Sequence, residues 1–240
     1  MTKLSVNINK IALIRNAREG NFPDIYKIAA DIEHFGADGI TVHPRPDERH
    51  IRFIDLPVLK DLVTTEFNIE GYPGEKYLET VLKIRPHQCT LVPDPPDALT
   101  SDNGWDTIKN KKYLSGIIKI LKDAGIRVSI FLNPEIDMVL AAKETGTDRI
   151  ELYTGPYAWN YHNNRQDAIE KYRLAAEKAH ETGLGINAGH DLNLDNLKYF
   201  ISNIPYTAEV SIGHALVSDA LYFGLHNTIQ MYKALLKTEN

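Results

Sequence analysis

The chain has 240 residues, 43% hydrophobic and 25% charged, a composition ordinary for a globular protein that buries a sizeable core. Its net charge of -5 argues against an electrostatic grip on nucleic acid or on an acidic membrane surface. The start MTKLSVNINK lacks the apolar stretch of a secretory signal, and no run approaches the roughly 18 apolar residues of a membrane span, so we expect a cytoplasmic protein.

A short apolar strand followed by an amphipathic helix recurs eight times along the chain. The strands are predicted at 4–9, 39–43, 67–70, 88–92, 127–132, 149–153, 185–188 and 209–212. The helices are predicted at 23–35, 56–64, 76–84, 113–124, 135–145, 166–182, 194–203 and 219–236, the last with Ser218 as its N-cap. Such alternation implies parallel strands joined by right-handed crossovers, and eight units predict an α/β fold, a (β/α)8 TIM barrel forming a single domain over 1–240.

An open, doubly wound sheet has the same local pattern, but no G-x-G-x-x-G follows the first strand. Two connections are longer than a strand-to-helix turn requires: 94–112, rich in Pro, Asp and Asn, and 155–165, aromatic and polar. Both follow the carboxyl ends of strands, where long loops are usually functional, and we expect at least one of them to act as a lid.

In a TIM barrel the active site lies at the carboxyl ends of the strands. Residues suited to binding or catalysis stand at or near most of these ends in the sequence: Asn7, Asn9, His43, Arg45, Glu70, Glu151, Thr154, Asn187, His190, Gly213 and His214. We therefore expect three histidines, two glutamates and an arginine to converge at the end of the barrel formed by the carboxyl ends of the strands, called here the mouth.

Three of these side chains are candidates for proton transfer. His43 ends an apolar run and titrates near neutral pH, although a capped core histidine would have the same pattern. Glu70 also ends an apolar run, where desolvation would raise its pKa and make it a usable acid or base; the alternative is an ion pair with a neighbouring strand. Glu151 lies deeper within its strand, so a structural ion pair remains open for it.

Anion binding is predicted on two sides of the mouth. Asn187-Ala188-Gly189-His190 allows close backbone approach, and Gly213-His214 precedes a helix in the position where this fold often binds phosphate. Arginines supply the other side, either as phosphate ligands or as parts of solvated loops: Arg15, Arg18, Arg45, Arg49 and Arg52. No local metal-binding motif occurs, and Cys89 lies in an apolar run typical of a structural thiol.

At these residues the chain resembles the pyridoxine 5'-phosphate synthase family almost from end to end. The segments that carry the resemblance are VNI-x-x-IA-x-x-RNAR (6–18), GADGITVH-x-R (36–45), NIE (68–70), LVP (91–93), IE-x-x-TG-x-YA (150–158), NAGH (187–190) and IGHA (212–215). Each segment is short, but their order on successive strands makes the joint match specific.

The resemblance implies a transferase-type ring-closing condensation of 1-deoxy-D-xylulose 5-phosphate with 3-amino-2-oxopropyl phosphate, giving pyridoxine 5'-phosphate, phosphate and water. It implies that His43 and Glu70 accept protons, that His190 donates one, and that Glu151 stabilises a transition state. It assigns substrate and phosphate binding to a further set: Asn7, Arg18, Arg45, His50, Thr100, Gly213 and His214. It also implies a ring-like homo-octamer. Because the reactive amine arrives on a substrate, neither an enzyme lysine nor a bound cofactor is required, and no motif demands a metal.

Two departures from the family pattern concern the same mouth. Asn9-Lys10 stands where the family often has Asp-His, and Asp191 stands where a glycine often follows NAGH. We expect Asn9, Lys10 and Asp191 to border the substrates, with binding altered in detail. Two other functions stay open: a Schiff-base aldolase-like barrel using Lys10, and a non-catalytic sensor of sugar phosphates that has kept the pocket.

Overall fold

Eight parallel strands close into one barrel in the computed structural model, which describes residues 1–94 and 101–237. The strands are β1 Lys3–Asn7, β2 Gly39–Val42, β3 Glu66–Gly71, β4 Gln88–Leu91, β5 Arg127–Leu132, β6 Arg149–Tyr153, β7 Gly185–Gly189 and β8 Thr207–Ile212. Each strand pairs with the next in sequence, and β8 returns to pair with β1. The predicted fold class is therefore confirmed, and every strand lies within two residues of its predicted bounds.

Helices surround this barrel on the outside. They are α1 Asn9–Asn16, α2 Ile25–His34, α3 Asp55–Leu62, α4 Glu75–Ile84, α5 Lys111–Asp123, α6 Ile136–Glu144, α7 Gly155–Glu181, α8 Leu197–Asn203, α9 His214–Phe223 and α10 Leu225–Leu235. Apolar side chains of the strands and helices form a continuous buried core between the two layers. Within the described ranges, no helix combines the length and the apolarity needed to cross a membrane.

The inside of the barrel is polar. Alternate side chains of a strand point to opposite faces, so the apolar residues of β3 face the helices while Asn68 and Glu70 face inward. The inward side chains bond to one another across strands: Ser5 lies 2.7 Å from Thr41 between their hydroxyls, and Thr90 donates to Asn68 at 3.2 Å. The polar residues of the mouth are the inward-facing side chains nearest the carboxyl ends of the strands.

Helix α1 was not predicted, and the first strand ends two residues earlier than expected. The Asn7 side chain accepts a hydrogen bond from the Asn9 backbone N–H at 3.0 Å, a local turn that ends the strand. Lys10 consequently lies in the first turn of α1. A buried arginine, Arg15, occupies an inward position of this helix and interrupts the apolar spacing by which a helix is recognised.

The segment 155–165 was wrongly predicted to be a loop: α7 begins at Gly155 and continues through a kink at Asn164 (φ −154°, ψ 91°). Tertiary packing overrides the poor helix propensity of this Asn- and Tyr-rich sequence. Buried Tyr157 donates to the Asn196 carbonyl at 2.7 Å and contacts Phe200, with ring centroids 5.2 Å apart. In the other long connection, 94–112, residues 95–100 lie outside the described residues.

The last predicted helix is two helices, α9 and α10, separated by Gly224 at a φ of 73°. Helix α9 begins at His214, five residues before the predicted start. Ser218 is therefore not an N-cap; it lies inside α9, and its hydroxyl donates to the His214 carbonyl at 2.8 Å.

A buried ion pair holds α1 against the amino end of α3 and the loop that precedes it. Both Nη atoms of Arg15 donate to the Asp55 carboxylate at 2.9 Å, and Nη2 also donates to the His50 carbonyl at 2.9 Å. Neighbouring Asn16 donates to the same carbonyl at 2.7 Å. Arg15, considered for phosphate binding from sequence, is thus a structural residue that positions the His50 backbone.

Replacing Asp55 by Ala should destabilise the fold by about 3–5 kcal/mol, because it leaves the Arg15 guanidinium buried without its counter-ion. Urea unfolding at one fixed protein concentration would measure this. The control is Asp31→Ala, which removes the exposed Lys27–Asp31 pair and should cost less than about 1 kcal/mol. Equal losses in the two variants would contradict the prediction.

Candidate active site

His43 and Glu70 meet at the mouth of the barrel, on the ends of neighbouring strands. The Nδ1 atom of His43 lies 3.7 Å from Oε2 of Glu70, and both side chains are buried. Asn7 donates to the same Oε2 at 3.5 Å, and the Asn9 side chain accepts from the His43 backbone N–H at 2.9 Å. The two asparagines of the first strand-to-helix turn therefore fix the acid and the backbone of the histidine.

Burial shifts the pKa values of this pair in opposite directions. Desolvation, reinforced by the charge of Asp94, raises the pKa of Glu70 to about 8. Desolvation, reinforced by the charges of Arg45 and His50, holds the pKa of His43 well below its ordinary value. At neutral pH the carboxyl therefore keeps its proton and the imidazole is uncharged, which leaves Glu70 able to donate and His43 able to accept.

Glu151 lies inside β6, below the rim of the mouth. Its Oε2 accepts a hydrogen bond from Thr90 at 3.5 Å, while its buried Oε1 has no hydrogen-bond partner in the part of the chain that the structure describes. Gly189 makes room for it, since a Cβ at position 189 would come within 2.6 Å of Oε1. Desolvation and the nearby Glu70 raise the pKa of Glu151 well above its ordinary value, which favours the neutral carboxyl, a form that can donate a hydrogen bond.

His190 follows β7 in a left-handed backbone conformation, with a φ of 79°. The Thr154 hydroxyl bonds to the carbonyls of Gly189 and His190, which secures this turn. The imidazole packs against Phe131, with ring centroids 4.9 Å apart, and its buried Nδ1 has no hydrogen-bond partner among residues 1–94 and 101–237. Desolvation lowers the pKa of His190, although the charges of Asp191 and Asp94 oppose the shift.

Arg45 and His50 border the same mouth on the loop after β2. The Nδ1 atom of His50 accepts from the Ile51 backbone N–H at 3.0 Å, and its ring centroid lies 6.3 Å from that of His43. Burial and the charge of Arg45 lower the pKa of His50 to about 4, so it is neutral. The Nη2 atom of Arg45 pairs with Oδ2 of Asp94 at 2.8 Å.

Asp94 was missed as a mouth residue and assigned only to a loop. It is 7% exposed and stands three residues beyond β4, on the same rim as the other strand-end residues. Its position directly after the Leu91-Val92-Pro93 segment was the available signal, because the polar residue that follows an apolar strand is the one that faces the mouth.

The remaining predicted binding residues are more exposed. Gly213 sits close to Asn7, where a Cβ would come within 3.0 Å of the Asn7 Cβ, and His214 is exposed at the first residue of α9. Asp191 is exposed and accepts a hydrogen bond from the Trp159 indole at 3.2 Å. Two further candidates, Lys10 and Arg18, are exposed, and their side chains make no hydrogen bond or ion pair with another described residue. Thr100 lies outside the described residues.

The described residues hold neither a metal-binding cluster nor an exposed cysteine thiol. Among the residues that the structure describes, no cluster of three or more His, Cys, Asp or Glu side chains is arranged to hold a metal ion. Cys89 is fully buried, and burial raises its pKa to about 12, which keeps the thiol protonated.

The sequence matches the family described as "Pyridoxal phosphate biosynthesis protein PdxJ" over residues 4–238. Curated relatives named pyridoxine 5'-phosphate synthase cover the chain almost completely. The Flavobacterium johnsoniae and Cytophaga hutchinsonii proteins are 59% and 60% identical over 99% of this chain and 100% of their own length. The Parabacteroides distasonis protein is 58% identical with the same coverage.

Solved structures with a similar fold are far more distant in sequence. Thiamine phosphate pyrophosphorylase from Pyrococcus furiosus superposes with a TM-score of 0.64 at 12% identity, covering 98% of this chain and 95% of its own. Phosphoribosylanthranilate isomerase from Thermotoga maritima gives 0.61 at 14% identity, covering 98% of both chains. At such low identity these similarities support the barrel fold alone.

The raised pKa of Glu70 should make the stability of the fold depend on pH. Folding raises this pKa from 4.5 to about 8, so the folded chain holds a proton that the unfolded chain releases. The resulting stability is complete below pH 4.5 and is lost as the pH rises towards 8. The Glu70→Gln variant lacks the titrating group. Its free energy of unfolding should therefore fall less than that of the native chain as the pH rises from 4.5 to about 8.

Urea midpoints measured for both proteins at the two ends of this range would test the prediction. Glu79→Gln makes the same change on the exposed face of α4 and should retain the native dependence on pH. An undiminished decline in Glu70→Gln would show that another group is responsible.

Proposed function

Since the chain belongs to the PdxJ family of pyridoxal phosphate biosynthesis proteins, we infer that it is an enzyme with the activity for which its relatives are named, pyridoxine 5'-phosphate synthase. This inference rests on one observation: the sequence is up to 60% identical to those of the relatives, over 99% of this chain and their whole length. The reaction condenses 1-deoxy-D-xylulose 5-phosphate with 3-amino-2-oxopropyl phosphate and releases phosphate and water.

The chemistry of this condensation matches the groups in the mouth. Its amine comes from a substrate, so the protein has to move protons, remove water and keep reactive imines away from bulk solvent. Neutral His43 would take a proton from the substrate and Glu70 would return one, after which Glu70 becomes an acceptor in turn. Glu151, a neutral acid, would donate a hydrogen bond to developing negative charge, and His190 would supply a proton on the opposite side.

Two substrate phosphates require two anion sites, and we assign them to the two parts of the mouth that flank the end of β1. Arg45 and His50 form one side, with Lys10 and Arg18 adding positive charge at its exposed edge. Gly213 and His214 form the other, where the backbone N–H groups at the start of α9 suit an anion. Asn7 and Asn9 lie between the two, and Asp191 borders the mouth beside His190.

Both alternatives are less consistent with the geometry. A Schiff-base lysine is normally activated by desolvation, whereas Lys10 is exposed in the first turn of α1. A pure sensor of sugar phosphates has no use for a buried acid beside a buried histidine at 3.7 Å, since both groups cost desolvation energy.

The direct test is to mix the purified chain with both substrates and to measure pyridoxine 5'-phosphate and released phosphate together. Equal amounts of the two products are expected. Substrate binding without either product would favour the sensor instead.

His43→Ala and Glu70→Gln should each lower kcat by about 10²- to 10⁴-fold while leaving the fold intact, because each removes one positioned proton-transfer group. The steady-state rate of product formation measures the effect, and circular dichroism checks the fold. His180→Ala is the matched control, because His180 is exposed in the last turn of α7, next to the amino end of β7. Near-native turnover in either mouth variant would rule out its assigned role.

We further propose a homo-octamer located in the cytoplasm. Support for assembly comes from apolar side chains exposed on α9 and α1: Leu221 is 77% exposed and Tyr222 86%, with Leu13 and Ile14 close to half exposed. Light scattering should give a mass of eight chains, and Tyr222→Asp should reduce it. A monomeric native protein would contradict the proposal.

A further inference from the structure

Asp94 holds the guanidinium of Arg45 in a site largely withheld from water. Its Oδ2 lies 2.8 Å from Nη2 of Arg45, and both side chains are about 95% buried. The Ser101 hydroxyl bonds to the same oxygen. A charge-assisted hydrogen bond in such surroundings is strong, so this carboxylate sets the direction of the Arg45 side chain.

Arg45 is also the arginine that the proposed function assigns to a substrate phosphate. A guanidinium binds carboxylate and phosphate through the same N–H donors. A phosphate that approached Nη2 would meet the negative charge of Asp94 at short range, where little water screens it. The carboxylate and the phosphate therefore compete for one donor.

We propose that Asp94 is a positioning residue that keeps Arg45 in place until a substrate phosphate takes over Nη2. This inference rests on the proposed function, because it places a substrate phosphate on Arg45. The competition reduces apparent affinity in proportion to the fraction of molecules in which Asp94 retains the arginine. A complete substrate makes other contacts and overcomes this cost, whereas a small anion such as free phosphate bears all of it and binds the native chain more weakly.

Titration of inorganic phosphate into the protein, followed by calorimetry, tests the competition without any turnover. Asp94→Asn should bind phosphate about tenfold more tightly than the native chain, because the amide no longer competes as a charge. Asp94→Glu keeps the charge and should stay within about twofold of native. In an Arg45→Met background the gain from Asp94→Asn should disappear, which would locate it at the guanidinium.

Two further variants keep the test decisive. Asp102→Asn removes the same charge from the exposed residue that follows Ser101 and should leave phosphate affinity within about twofold. Ser101→Ala removes the hydroxyl that secures Asp94 without changing any charge, and should tighten phosphate binding about threefold even if Asp94→Asn folds poorly. Failure of both Asp94→Asn and Ser101→Ala to bind phosphate more tightly overturns the proposal, as does an equal gain in Asp102→Asn.

The dependence of kcat on pH gives a second readout. A residue with a purely structural role would leave this dependence unchanged. Asp94 raises the pKa of Glu70, with Glu209 acting in the same sense and Arg45 opposing both. Asp94→Asn should therefore shift the Glu70-dependent limb of the kcat profile to lower pH. Because phosphate binding requires no product, a native chain that binds phosphate but makes no pyridoxine 5'-phosphate would refute the proposed function and leave this result standing.

Discussion

Hydrogen bonding between β1 and β8 closes the sheet, with Val6 beside Ile212, and every side chain of the mouth depends on that closure. His43, Glu70, Glu151 and His190 come from four different strands or strand ends, separated by up to 147 positions in the chain. No local motif could assemble them. A ring of parallel strands does so because all carboxyl ends share one rim and alternate residues of each strand face inward.

Burial is the second organising effect, since it gives ordinary side chains their unusual protonation. Burial favours the neutral, protonated form of Glu70 and Glu151, and it favours the uncharged form of the His43 and His50 imidazoles for the same reason. The mouth thereby holds acids that carry protons and bases that lack them at one pH. That combination suits a sequence of proton transfers.

The sequence was sufficient to predict the eight strands, because each is a short apolar run bounded by turn residues. It was insufficient where tertiary contacts reverse a local tendency. Arg15 concealed α1 because its burial depends on Asp55 and the His50 carbonyl, which lie 40 and 35 positions away. The start of α7 was concealed because Asn- and Tyr-rich sequence forms a helix there only when Tyr157 packs against Phe200.

Within the site, the family resemblance named several residues of the mouth, including His43, Glu70 and Arg45, but it neither named Asp94 nor revealed how these residues are paired. The contact of Asp94 with Arg45 joins two loops, and the space that Gly189 leaves for Glu151 depends on the register of two strands. Both are properties of three-dimensional packing, and neither follows from residue types along one segment.

The link from Arg15 through the His50 carbonyl to the mouth affects how genetic data on this enzyme would be interpreted. In a random-mutagenesis screen, substitutions at Arg15, Asn16 and Asp55 would be scored alongside the proton-transfer residues, although none of them is assigned a contact with substrate. Growth at reduced temperature would separate the two classes, since a displaced loop can be rescued by cooling and a missing acid cannot.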